Sequence, residues 1–85
     1  MNIKEKTLAF ISDRLRVPYD KVEASDSLME DLGADPLDVM YIAVELEDMF
    51  DVSITDTELD SITAPMDLVR MIQAKQNPQE LTHAQ

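Results

Sequence analysis

Carboxylates crowd the stretch from Asp26 to Asp38, and they are the first side chains in this sequence to suggest chemistry. Glu30, Asp31, Asp35 and Asp38 flank the single glycine, Gly33. Acids around a glycine suggest a calcium loop, in which glycine takes the sixth position and an oxygen ligand opens the loop. Residue 28, which would open it, is leucine. That loop is therefore excluded, and unspecific screening of cations is what these acids offer, with no metal ligand set. Nucleophilic chemistry has no better footing. Cysteine is absent, and the only histidine, His83, lies near the end of the chain with nothing to place a nucleophile beside it. Carboxylate pairs are too numerous for any one to stand out as an acid and base. No catalytic residue emerges, and the expectation is that the protein is not an enzyme.

The elements that position these acids are helices. Ile3, Thr7, Leu8, Ile11 and Leu15 recur at helical intervals and predict a first helix over about residues 2–15, ended by Pro18. From Val17 to Ala34 no period is sustained. This stretch reads as a long connection, anchored where Val22, Leu28 and Leu32 return to the core. The next helix has the clearest start. Asp35 is a favourable N-cap, Pro36 falls at the first helical position, and Asp38 at the third complements the helix dipole. Val39, Ile42, Ala43, Leu46 and Phe50 form its apolar stripe, while Leu37, Tyr41, Val44, Glu45, Glu47 and Asp48 lie on or beside its other faces. Apolar groups mixed with carboxylates there favour a docking surface over a merely solvated one. A short helix over about residues 56–61 follows. A last one begins at Thr63, with Pro65 in its first turn and Met66, Val69 and Ile72 as buried positions. The fold class expected is all-α: three longer helices and one short helix in a bundle over residues 1–75, with 76–85 as a polar, flexible tail.

Composition sets the outer limits. At 85 residues this is one small domain, and 45% hydrophobic residues suffice for a core. Residues 20–67 hold 15 of the 18 acids and one of the seven bases, so they carry −14 and the flanks +3. Such a field repels nucleic acid and anionic lipid and favours basic protein surfaces. No apolar run resembles a signal peptide or membrane span, so the expectation is a monomeric, cytoplasmic protein with no membrane insertion. Met40, Met49, Met66 and Met71 read as core or boundary residues rather than as the lining of a lipid cavity.

Glu30-Asp31-Leu32-Gly33-Ala34-Asp35-Pro36-Leu37-Asp38, reinforced by Leu46-Glu47-Asp48-Met49-Phe50-Asp51 and by Ile54, Ile62 and Thr63, resembles the acyl carrier proteins over about residues 3–74. The resemblance implies a four-helix acyl-carrier fold. It also implies a partner-facing helix on which Asp35, Leu37, Asp38, Tyr41, Val44, Glu47 and Asp48 occupy the docking positions, with Tyr41 where an acid is common. The family carries its phosphopantetheine cofactor on the serine of an Asp-Ser-Leu triplet. Here that triplet is Asp35-Pro36-Leu37, and a proline side chain has no heteroatom through which a phosphodiester can form. The expected cofactor is thus not attachable at Pro36. The favoured reading is a non-carrying partner that docks on basic surfaces of fatty-acid or polyketide pathway enzymes, as regulator, scaffold or decoy. The alternative is a working carrier, attached through another serine or with Pro36 an alteration of an ancestral serine. Asp26-Ser27-Leu28 repeats the triplet nine residues earlier, but without the Gly-Ala lead-in, and Ser27 reads instead as the cap of a short helical turn.

Overall fold

A computed structural model of the protein describes residues 2–76. Five helices follow one another: α1 (Ile3–Leu15), α2 (Tyr19–Ala24), α3 (Pro36–Phe50), α4 (Asp56–Asp60) and α5 (Pro65–Gln76). No strand occurs among the described residues. The all-α bundle with three longer helices is thus as expected, with one correction. The connection between the first two long helices contains a helix of its own, α2. Its six residues bury only Val22, and one buried position sets no period for a sequence to display. Pro18, read as the stop of α1, is also the N-cap residue of α2. Helix α5 includes Gln76, the first residue of the expected tail. The remainder of the expected tail, 77–85, lies outside the described residues.

The core forms where α1 packs against α2, α3 and α5. Leu8 and Ile11 of α1, Val22, Leu28, Ile42, Leu46, Leu68, Val69 and Ile72 are all essentially excluded from solvent. Leu28 and Leu32, read as plugs of the long connection, are both buried. In α5 the expected Val69 and Ile72 are buried together with Leu68, whereas Met66 is only half-buried. Each fully buried Leu, Ile or Val contributes about 1.5–3 kcal/mol relative to exposure, so this apolar set is what holds so small a bundle together.

Helix ends are fixed locally. Asn2 with Glu5, Asp35 with Asp38, and Thr55 with Glu58 form reciprocal capping boxes at α1, α3 and α4. Asp67 accepts from the backbone N–H groups of Ala64 and Thr63, which hold its carboxyl below the ordinary aspartate value. Lys75 of α5 reaches Glu58 of α4 with both carboxylate oxygens at 2.9 and 3.1 Å. This tether fixes a short helix that buries no residue fully.

Candidate docking surface on helix α3

The start of α3 is built by the residues whose types foretold it. The Asp38 N–H donates to Asp35 Oδ1 at 2.8 Å, and the Asp35 N–H donates to Asp38 Oδ2 at 3.2 Å. Pro36 occupies the first helical position, where its missing N–H removes none of the helix's own bonds. Leading into it, the chain passes Gly33 at φ +75°, a left-handed conformation that glycine adopts without the clash of a Cβ. The Leu28 N–H donates to Thr63 O and the Ala34 N–H to Leu28 O, so this entry loop is stitched to the link before α5. Asp31 Oδ2 accepts from the N–H groups of Asp26 and Ser27. Its carboxylate shapes the loop. Ser27 Oγ accepts the Glu30 N–H at 3.0 Å, which is the capping role expected for it.

Pro36 is exposed, at the rim of a shallow pocket of about 170 Å³ shared with Met29, Val39, Leu59, Asp60 and Ile62. The surroundings suit a group mounted on residue 36: the position is solvent-facing, at a capped helix start, beside an apolar recess. The residue itself does not suit it. Its side chain is carbon and hydrogen alone, closed onto the backbone nitrogen, and a phosphate ester has no oxygen to form on.

Along α3 the apolar stripe faces inward as read: Val39, Ile42, Ala43 and Leu46 are buried and Phe50 is half-buried. The outer face exposes Leu37 by 69%, Val44 by 51%, Met40 by 47% and Tyr41 by 44%. Four large apolar side chains open to water on one face of one helix are more than solubility requires. Of the seven residues assigned to the docking positions, Asp35, Leu37, Tyr41, Val44 and Asp48 are exposed, and Asp38 and Glu47 are half-buried. Three of the acids are engaged in structure. Asp35 and Asp38 cap the helix. Glu47 is half-buried, and its Oε2 accepts the Ile54 N–H at 2.6 Å, bracing the link between α3 and α4.

Two features of this surface carried no signal in sequence. Met40 and Met49, read as core or boundary residues, are exposed, Met49 by 45%. Arg14, from the last turn of α1, lies over the Tyr41 ring with its guanidinium carbon 4.0 Å from the centroid, a cation–π geometry. The two residues are distant in sequence, so only the packing of α1 on α3 reveals the pair.

The family model described as phosphopantetheine attachment site matches residues 5–72. An acyl carrier protein of Akkermansia muciniphila is 37% identical over 75 residues, covering 88% of this chain and 94% of that protein. This chain belongs to the acyl carrier protein family. Its members are carriers rather than enzymes, in line with the lack of a catalytic constellation in the sequence. With the family this chain shares the helical bundle. Among the described residues no helix is long and apolar enough to cross a membrane.

Proposed function

We propose that this protein serves acyl-chain biosynthesis of the fatty-acid or polyketide type as a carrier-family protein that its enzymes recognise through the outer face of α3. The observation that carries the reading is the combination of a family-matched α3 start with four exposed apolar side chains among carboxylates. Exposed carboxylates raise the encounter rate with basic enzyme surfaces, and apolar anchors such as Leu37 and Val44 set the lifetime of the complex. A cytoplasmic setting fits that role.

Kinship supports a carrier role over a regulatory one, since the matched relative is an acyl carrier protein over nearly its whole length. Residue 36 supplies no atom for the arm, so a carrier role needs a hydroxyl elsewhere in the chain or a serine restored at 36. Pro36 is the one observation favouring a second reading, a partner that docks without carrying. The two readings separate in one experiment. The purified protein is incubated with a phosphopantetheinyl transferase and coenzyme A, and its intact mass is measured. A gain of one arm, located by peptide mapping, supports the carrier; an unchanged mass supports docking alone. The docking face itself is tested by reversing Asp48 to lysine and truncating Val44→Ala. Against an enzyme that binds the parent, the first slows association and the second speeds dissociation. A partner indifferent to both binds another face.

A further inference from the structure

The docking face of α3 is not uniformly acidic. Arg14 stacks on Tyr41 in the middle of the helix, and the groove between the end of α1 and α3 is lined by Phe10, Asp13, Arg14, Arg16, Tyr41 and Glu45. Arg14 and Arg16 are both exposed, and neither forms an ion pair among the described residues, although the chain has 18 acids. Asp13 and Glu45 share the groove with them without closing on either guanidinium. Arg16 adopts φ 59°, the left-handed cap position of α1, where glycine would be the less strained choice. The Arg14 guanidinium is exposed and sits over the ring without an ion-pair partner among the described residues, so its donor fork is available to a carboxylate.

We propose that Arg14, held over Tyr41, is a specificity determinant of the α3 surface: it selects enzymes that place a carboxylate beside their basic and apolar docking groups, and disfavours surfaces that are basic throughout. This rests on the docking reading above. A like charge set against the guanidinium is the repulsive element through which an interface rejects a wrong partner, while Asp48, Val44 and Leu37 provide attraction common to both kinds of partner. Tyr41 serves by fixing the guanidinium in place, because a stacked planar cation keeps a defined position that a mobile lysine does not.

The test measures association of the full chain with a purified phosphopantetheinyl transferase whose docking surface is basic throughout, at low and at physiological ionic strength. Arg14→Gln removes the cation, Arg14→Lys keeps the charge, and Tyr41→Glu both unseats the guanidinium and adds an acid. Arg14→Gln should associate roughly two- to five-fold faster than the parent at low salt, and Tyr41→Glu, an equal change of one charge, by a similar factor. Arg14→Lys should stay near the parent, and the gains should shrink on adding salt. A purely structural role for the stack would lower the thermal midpoint of all three variants without raising any association rate. Equal rates across the parent and all variants overturn the inference while leaving the docking reading in place. Absence of binding by every protein in the series removes the docking reading, and the inference with it.

Discussion

At the scale of single residues, the start of α3 was legible because its logic is local. Asp35, Pro36 and Asp38 act within one helical turn, and residue type alone dictates a cap, a first position and an anchor for the dipole. Glu47 shows where such reading ends. Its sequence neighbours place it on the outer face of the helix among docking acids, yet its carboxylate turns to the Ile54 N–H across the link to α4. A contact made after the chain has reversed has no signature in helical spacing. Glu47→Ala should cost about 1–2 kcal/mol, because it leaves a partly buried N–H without its charged acceptor. Glu47→Gln, which keeps an acceptor oxygen, should lose less. Denaturant unfolding of the two variants checks this; equal and negligible losses would assign Glu47 to the open surface after all.

At the scale of elements, α1, α3 and α5 were readable from their apolar periods, and α2 was not, since a helix of six residues with one buried position repeats nothing. Two elements carry testable imbalances. The carboxyl end of α3 holds no base in its last turn, and its cap residue, Asp51, sits at φ 55°. An acid there opposes the helix dipole. Asp51→Asn retains a residue tolerant of the left-handed region and removes the charge, so stability should rise by about 0.3–1 kcal/mol. A loss would mean that the carboxylate makes a compensating contact. The tether of α4 predicts a pH dependence. The Thr55 N–H, and then Lys75, lower the Glu58 carboxyl below its ordinary value of 4.5. A depressed carboxyl stabilises the fold fully above its unfolded value, and that contribution fades as pH falls through the lower folded value. Midpoints followed from pH 7 to 3 should therefore fall less steeply in Glu58→Gln, from a lower starting point. Parallel curves would remove Glu58 from the acid response.

At the scale of the whole molecule, the charge excess of residues 20–67 was plain from sequence, whereas the placing of Arg14 over Tyr41 was not, because it depends on how α1 packs on α3. Like charges on a bundle this small oppose compaction, and salt shortens their reach to about 8 Å at physiological ionic strength. The thermal midpoint should rise with added sodium chloride, and a midpoint that ignores salt would show that the acids are spaced too widely to repel. On the proposed function, the bundle presents a surface that carrier-dependent enzymes still read, whatever residue 36 can hold. Restoring the hydroxyl tests it most directly. Pro36→Ser should fold within about 1 kcal/mol of the parent, since the added N–H joins those that a helix start leaves free. Incubated with a phosphopantetheinyl transferase and coenzyme A, the folded variant should gain the mass of one arm, mapped to residue 36. A folded Pro36→Ser protein that stays unmodified at residue 36 under conditions that load an ordinary acyl carrier protein would mean that the transferase does not read this surface.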